Sequence, residues 1–415
     1  MDVDPRRPRL RMTRLLTLAF AASSVLSALG CAGSQVSAGP AEVVYDFEPI
    51  IVQAQTGEDG EVRSVTTDVP SLFAEAGDYL VAEDYENALR LYEIVLEATN
   101  DEEYQRVTRY NRGLALEGML QFDEAADDYR RVILGWPASE DATYAHFRLA
   151  ECLAQTGQYE LVPDVMELVL PRAGLALSDR VEAHLRWGYA LLEMREFVAA
   201  DHRLQEAIDI NRQALLRWNP EANDWRERPL ERNDPMVAQA WFGRGRVFHE
   251  LFREIRLVLP QDRLTEDLVA KTQLFEQSQE AYLSAVRSGN RYWSPAAGFM
   301  VGQLFEDFYF DVLATEVPPD FNELEMEVYF EELRAFIAPA MERAMSVYEN
   351  NLAMSYRLGS DSVWVEDTLA SIERVDEYVR QETNWEAEHR LIIEHRHPRS
   401  ANYADHMLFR DERER

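Results

Sequence analysis

The sequence lacks the motifs that mark most catalytic sites. It contains no nucleophile elbow, no phosphate-binding loop, no zinc-ligand spacing and no dinucleotide fingerprint. Two glycines occur in FGRGRVF (residues 242–248), but this stretch continues a helical pattern, which favours helix packing over phosphate binding. Carboxylates are so abundant, at 75 Asp and Glu, that no pair stands out as an acid–base couple. We therefore expect no enzymatic activity and no cofactor.

Histidine is also scarce, with 8 residues in the chain, and half of them fall in a charged C-terminal tail, residues 384–415. These four are His389, His395, His397 and His406. The spacing of His395 and His397, beside Glu394, would suit a metal ion, but histidines in an arginine-rich tail are more often solvated. We expect no metal site.

Positive charge is in short supply. Lys271 is the one lysine, and 42 basic residues stand against 75 acidic ones, for a net charge of −33. Such a field repels nucleic acid and anionic lipid, so we expect neither to bind. It favours protein partners with basic patches, although the same charge is typical of a protein that only has to stay soluble.

No hydrophobic run is long enough to span a membrane comfortably. The apolar run that follows the basic stretch PRRPRLRMTR (residues 5–14) covers about 16 residues and is rich in Ala and Ser. A basic head, an apolar middle and small residues at the exit are typical of an export signal. We therefore predict a signal peptide over residues 1–30.

The exit of this signal, Ala28-Leu29-Gly30-Cys31, resembles the lipobox of bacterial lipoproteins. The resemblance implies cleavage before Cys31, acyl chains such as palmitate on its thiol and amino group, and residence in the cell envelope, in the outer membrane facing the periplasm. One departure is Ala28, where the family usually has Leu. The alternatives are an ordinary cleaved signal or a signal anchor. A lipidated Cys31 leaves Cys152 without a disulfide partner, so packing must hold the fold.

Residues 31–68 are small, polar and interrupted by Gly and Pro, which is typical of a flexible tether. The apolar patch VVYDFEPIIV within them receives no assignment. About 37 flexible residues span on the order of 30–35 Å, enough to hold the following domain away from the bilayer.

After the tether, one pattern of residues returns four times. Each copy places a small or apolar residue three positions after an aromatic one, and a large residue four positions further on. The four frames are Tyr85-Ala88-Tyr92, Phe122-Ala125-Tyr129, Tyr159-Val162-Met166 and Phe197-Ala200-Leu204. In each case a further small residue lies 12 positions before the small or apolar residue of the frame. These residues are Ala76, Gly113, Ala150 and Gly188.

This pattern resembles the tetratricopeptide repeat (TPR) across residues 71–212. Successive copies are 37, 37 and 38 residues apart, slightly more than the usual period of about 34. The resemblance implies pairs of antiparallel helices that cross closely, which requires a small side chain at each crossing. We therefore expect an all-α fold, a TPR-type helical-hairpin solenoid with the form of a right-handed superhelix.

The register is lost after residue 212. Residues 217–235 form a polar loop with two tryptophans, an unusual insertion in a compact array. Residues 236–383 contain amphipathic helices that we interpret as a divergent TPR-like region. Within them, residues 280–370 contain a helix that begins at YWSPAA, then VPPDFNE, then a long helix that ends before a glycine. This order resembles segments of TPR proteins from myxobacterial envelope and gliding systems.

A row of mostly aromatic residues lies three positions before the small residue of each first helix. The row consists of Phe73, Tyr110, Phe147, Leu185 and Phe242. In a TPR superhelix these positions are expected to face the inner groove, where the row would bind an apolar strip of a partner; packing between repeats is the alternative. The Lys and Asn residues with which some family members clamp a peptide carboxylate are missing here.

Two functions fit these features. The first is an envelope-anchored TPR scaffold that mediates protein–protein interactions in a multiprotein complex with other envelope proteins. The second is a carbohydrate-binding helical-repeat lipoprotein, with Trp218, Trp225 and Trp293 as stacking residues.

Overall fold

The computed structural model describes residues 50–56, 62–222, 224–315 and 322–380. Within these ranges the chain forms one β-hairpin followed by 13 α-helices. The predicted signal peptide (residues 1–30), Cys31 and the charged tail (residues 384–415) lie outside the described residues.

A β-hairpin precedes the helices. Strand β1 (Ile50–Thr56) pairs antiparallel with β2 (Val62–Asp68), with Ile50 opposite Asp68. The predicted tether over residues 31–68 is therefore wrong for these two segments, whose high content of Val, Ile and Thr favours strands. The side chain of Asp68 accepts a hydrogen bond of 2.7 Å from the backbone N–H of Ser71 and so caps the first helix.

The helices follow one another as hairpins. Hairpins one to three are α1 (Val69–Val81) with α2 (Tyr85–Ala98), α3 (Glu102–Gly118) with α4 (Phe122–Gly135), and α5 (Glu140–Gln155) with α6 (Val162–Val169). Hairpins four to six are α7 (Leu177–Glu193) with α8 (Phe197–Arg217), α9 (Pro235–Glu254) with α10 (Gln261–Ser288), and α11 (Trp293–Leu313) with α12 (Glu323–Leu358). A last helix, α13 (Val363–Arg380), packs against α11 and α12.

The chain divides into two compact units between Ala142 and Thr143, in the first turn of α5. Hairpins one and two belong to the first unit, and hairpins four to six to the second.

The first four hairpins share the same tight turn. In each, the residue two positions before the second helix (before the 3-10 turn Tyr159–Leu161 in hairpin three) adopts a left-handed conformation with φ between 60 and 75°. These residues are Glu83, Leu120, Gly157 and Arg195. Only one of the four is glycine, although the left-handed region is strained for residues with a Cβ atom. The same backbone geometry therefore recurs at the turn of each of these four hairpins.

The small residues predicted at the helix crossings do lie there. A Cβ atom on Gly113 would come within 2.7 Å of the ring of Tyr129, and one on Gly188 within 2.7 Å of the side chain of Leu204. In hairpins one and three, Ala76 and Ala150 are equally buried, as are the large residues of their frames. The predicted all-α fold of TPR-type helical hairpins is confirmed.

The same crossing recurs in hairpins five and six, where the sequence shows no regular period. A Cβ atom on Gly245 would overlap the ring of Tyr282, and one on Gly302 would overlap the ring of Tyr348. The small residues four positions before these tyrosines, Ser278 and Ala344, are fully buried. Both hairpins therefore contain the crossing contact found in hairpins one to four, with Met341 of hairpin six at the position where the frame has an aromatic residue.

Hairpins five and six differ from the first four in the number of residues between the two positions that meet at the crossing. The small residue of the first helix and the small or apolar residue of the second helix are 12 positions apart in the first four hairpins, but 33 apart in hairpin five and 42 in hairpin six. Helices α10 and α12, with 28 and 36 residues, carry extra turns before the crossing point. The crossing contact is kept because the extra residues lie in the connection and in the N-terminal turns of the second helix, before the residues that make the contact.

Candidate partner-binding surfaces

Two members of the predicted aromatic row remain partly accessible. Phe73 and Tyr110 are half-buried. The ring centroid of Phe73 lies 5.7 Å from that of Tyr104, and the centroid of Tyr110 lies 5.7 Å from that of Tyr129. Each presents part of its ring to solvent, so both stay candidates for binding a partner.

The other three members are core residues, and the prediction that they line an open groove is wrong. Phe147 and Leu185 are 4% exposed and Phe242 is 0% exposed. Phe242 packs against Tyr282, and against two tryptophans that follow it by more than 50 positions, with ring centroids 5.1 Å and 6.3 Å away. These are Trp293 and Trp364. Trp293 is 1% exposed, which also removes it from the predicted stacking residues.

An open groove lies elsewhere, between the second helices of hairpins four and five. Its floor is one face of α9, where Trp241, Arg244 and Phe248 follow at spacings of three and four residues. Asp201 of α8 lies on one side and Glu276, Gln277, Glu280 and Ala281 of α10 on the other. We call these residues the α8–α10 groove. Its volume is about 550 Å³, within the range of about 300–1,000 Å³ of ligand sites in general.

The charges of the α8–α10 groove do not balance. Arg244 donates through Nε to Asp201, 2.6 Å away, and its guanidinium lies 5.7 Å and 5.4 Å from the ring centroids of Trp241 and Phe248. This pair is neutral as a unit. Glu280 is paired with Arg287 on its own helix. Glu276 is exposed to solvent at the rim, where its negative charge adds to that of the whole chain.

A second surface is the loop between α8 and α9, in the predicted insertion at residues 217–235. Trp225 is 69% exposed, while the loop beneath it is fixed at two points. Arg180 donates twice to Glu227, over 3.0 and 2.7 Å, which holds the pKa of that carboxyl below its usual value. Leu230 bonds to the side chain of buried Asn211 through both its backbone N–H and its C=O. The loop therefore holds Trp225 at the surface on an ordered support.

Buried charges in hairpins five and six serve the fold. His249 bonds to Asp307 over 3.0 Å, and Arg253 donates to the same carboxylate over 2.7 Å. Burial, reinforced by the positive charge of Arg253, holds the pKa of His249 below its usual value. The side chains of His249, Arg253 and Asp307 therefore bond to one another, and none of the three serves as an exposed acid or base.

The one lysine belongs to the same buried region. The Nζ of Lys271 lies 2.6 Å from the carbonyl oxygen of Phe252, 3.0 Å from that of Ile255 and 2.6 Å from Oδ2 of Asp311. Three acceptors match the three donors of an ammonium group. Burial lowers the pKa of Lys271, and the carboxylate of Asp311 opposes that effect. Lysine here caps carbonyls near the end of α9.

Two absences apply to the described part of the chain. Among residues 50–56, 62–222, 224–315 and 322–380, no three His, Cys, Asp or Glu side chains are grouped so that they would hold a metal ion. Within the same ranges, every helix is too short or too polar to cross a membrane.

Sequence reasoning missed the α8–α10 groove, although a signal was present. Trp241, Arg244 and Phe248 mark one stripe of α9, a segment that we interpreted only as part of the divergent TPR-like region. The rim comes from α8 and from the distant part of α10. Their approach depends on the unusual length of hairpin five, which the sequence does not display.

No protein-family model and no curated protein matches the sequence. Among solved structures, the MamA RS-1 ArsTM double mutant is 16% identical, with 55% of this chain and 99% of that chain covered and a TM-score of 0.34. A tetratricopeptide repeat protein from Parabacteroides merdae is 11% identical, covering 72% and 98%, with a TM-score of 0.35. The C-terminal part of a TPR repeat-containing protein from Cytophaga hutchinsonii is 13% identical, covering 75% and 96%, with a TM-score of 0.37. The chain's own helix crossings make its described part an array of TPR-type helical hairpins: a small residue packs under a large one in hairpins two, four, five and six, and both residues are buried in hairpins one and three.

Proposed function

We propose that this protein is an envelope-anchored scaffold that binds other proteins through surfaces of its helical hairpins and of the loop between α8 and α9. The observation that carries the proposal is Trp225, a large aromatic side chain that is 69% exposed on a loop fixed by Glu227 and Leu230. Tryptophan is enriched among the residues that dominate binding energy at protein interfaces. A fixed loop also reduces the entropic cost of binding.

The anchor is the lipid-modified Cys31, which lies outside the described residues. The predicted signal peptide over residues 1–30, followed directly by Cys31, supports export and lipidation, and we assign the protein to the outer membrane, facing the periplasm. Metabolic labelling with a palmitate analogue tests this assignment. The wild type should be labelled and a Cys31→Ser variant should not; equal labelling of the two would contradict lipidation at this residue.

The test of the scaffold is co-purification from native membranes with the Trp225→Ala variant beside the wild type. We expect specific envelope proteins to co-purify with the wild type and to be reduced at least fivefold with the variant. Because the side chain is exposed, the melting temperature should not change. Leu134→Ala is the matched control, since Leu134 is 80% exposed on a different hairpin. Equal recovery with all three proteins would contradict a role for Trp225.

Trp225 also favours a second candidate function, binding of carbohydrate by stacking of a sugar ring on the indole. Trp218, which is half-buried, precedes it in the same loop. Titration with soluble envelope glycans, followed by tryptophan fluorescence, separates the two functions. Saturable quenching that is lost in Trp225→Ala, without any co-purifying protein, would favour carbohydrate over protein partners.

A further inference from the structure

The α8–α10 groove combines two features that together recognise one kind of group. Its floor presents two half-buried aromatic rings, Trp241 and Phe248, and its rim presents the exposed carboxylate of Glu276. An aromatic face attracts a cation, and a carboxylate beside it supplies the opposite charge. The one cation of the floor, Arg244, is already paired with Asp201 over 2.6 Å. The carboxylate of Glu276 therefore remains for a group that comes from outside.

Hairpin four contains the same combination of an aromatic ring and a glutamate, with an arginine bound between them. The guanidinium carbon of Arg203 lies 3.6 Å from the ring centroid of Trp187, and its Nη1 lies 2.8 Å from Oε2 of Glu206. An arginine thus lies between a tryptophan face and a glutamate. A planar guanidinium is better suited to this geometry than an ammonium, because it stacks on the ring and donates to the carboxylate at the same time.

We propose that the α8–α10 groove binds an arginine-bearing extended segment of a protein partner, with the guanidinium between the aromatic floor and Glu276. The proposal rests on the scaffold function and names the chemistry of one partner site. Charge complementarity supports it, because the chain has a net charge of −33 and its field draws basic segments toward the surface. The floor uses Trp241, Arg244 and Phe248 of α9, whereas Phe242, the member of the predicted row on that helix, is buried in the core, so the groove is distinct from the row.

The probe is a fluorescein-labelled nonapeptide, Gly-Ser-Gly-Arg-Gly-Arg-Gly-Ser-Gly, measured by anisotropy against the full-length protein in detergent. The matched peptide carries citrulline, which has nearly the shape of arginine without the charge, at both positions. We expect the arginine peptide to bind at least tenfold more tightly than the citrulline peptide. Equal affinities would overturn the proposal.

The protein variants then locate the site. Glu276→Gln should weaken binding of the arginine peptide at least fivefold and leave the melting temperature unchanged, because this side chain is exposed. Glu366→Gln, which removes an exposed carboxylate from α13, should change affinity less than twofold. Equal weakening by the two variants would indicate general attraction to an acidic surface and would overturn the groove assignment.

A further variant tests the chain's own tail as the occupant. Residues 390–399 carry Arg390, Arg396 and Arg399. Replacing all three by serine should leave peptide affinity within twofold of the wild type. A gain of fivefold or more would show that the tail competes for the groove, and would replace the partner by this segment.

The two proposals fail in different ways. If the arginine peptide does not bind but envelope proteins still co-purify, the groove assignment falls and the scaffold stands. If the peptide binds as expected and is sensitive to Glu276→Gln, while no protein co-purifies, the affinity of the groove for arginine stands, and the scaffold function falls together with its protein partner.

Discussion

Hairpins one to four and hairpins five and six share one contact, a small residue under a large side chain at the helix crossing, but form it with different lengths of chain. In the first four, a tight turn with one left-handed residue separates the helices, and the small residue of the first helix and the small or apolar residue of the second are 12 positions apart. In the last two, 33 and 42 positions separate them, yet Gly245 and Gly302 pack under tyrosine rings as Gly113 does. The repeat is therefore defined by the contact at the helix crossing and tolerates wide variation in length.

A polar contact accompanies the crossing in both regions. The hydroxyl of Tyr129 donates over 2.6 Å to Glu117, four residues after Gly113. The hydroxyl of Tyr348 donates to Glu306, four residues after Gly302. In hairpin six a third element joins this contact, since Arg374 of α13 donates to Glu306 over 2.7 Å. Hairpin six thus extends the shared contact with an ion pair to α13.

The largest effect should come from removing the ring at a crossing in the irregular region. Tyr348→Ala should lower the free energy of unfolding by about 3–5 kcal/mol, because it leaves a cavity beneath Gly302 and removes a donor to Glu306. Tyr129→Ala, in a compact hairpin, is expected to cost a similar amount. Urea unfolding of both variants measures this. A cost below about 1 kcal/mol for Tyr348→Ala alone would contradict the equivalence of the two regions.

The hairpins could be predicted best from the sequence where the residues that meet at the helix crossing lie a short, fixed distance apart along the chain. Ala125 and Tyr129 lie at fixed offsets from Gly113, so a period of about 37 residues was enough to find them. Tyr348 lies 46 residues after Gly302, and no local sequence pattern predicts that the tyrosine ring packs over this glycine.

The candidate site was harder to predict for a related reason. Phe242 occupies the position expected to face a partner, but its ring is covered by two tryptophans from later hairpins and α13. Burial of this kind depends on elements far along the chain. Exposure of Trp225 was easier to anticipate, because a polar insertion in a repeat array is usually on the surface.

A smaller effect should follow from adding one methyl group at a crossing. Gly302→Ala should cost about 1–3 kcal/mol, since its Cβ would overlap the fully buried ring of Tyr348. Gly135→Ala is the matched control, because a Cβ there meets nothing within 4 Å. Urea unfolding should show a loss for the first variant only. Equal stability of the two would place the tyrosine ring elsewhere.

Acid should destabilise hairpin five through His249. Its folded pKa lies below the usual value of 6.5, so its contribution to stability is present above that pH and is lost as the pH falls toward the folded pKa. The slope attributable to one such group is at most about 1.4 kcal/mol per pH unit. Unfolding curves between pH 7 and pH 5 should therefore be less pH-dependent in His249→Gln than in the wild type. Parallel pH profiles would contradict burial of the neutral imidazole.

The smallest expected effects lie in the compact turns. Leu120 is left-handed and 71% exposed, so Leu120→Gly should stabilise the protein by about 1 kcal/mol through relief of backbone strain. Gly157→Ala, at the equivalent position of hairpin three, should destabilise by about the same amount. Thermal unfolding compares the two. Changes of the same sign in both variants would contradict a shared turn geometry.

The most direct test of the shared crossing is a double-mutant cycle of Gly245→Ala and Tyr282→Leu, measured by urea unfolding. Each change alone should destabilise, the first by crowding the ring and the second by leaving a cavity. If the two residues are in contact, the smaller leucine makes room for the alanine, and the double variant should be more stable than the sum of the single effects by about 1–2 kcal/mol. The pair Gly135→Ala and Tyr282→Leu should be additive. Additivity for Gly245 and Tyr282 as well would contradict the claim that hairpin five is built on the same contact as hairpins one to four.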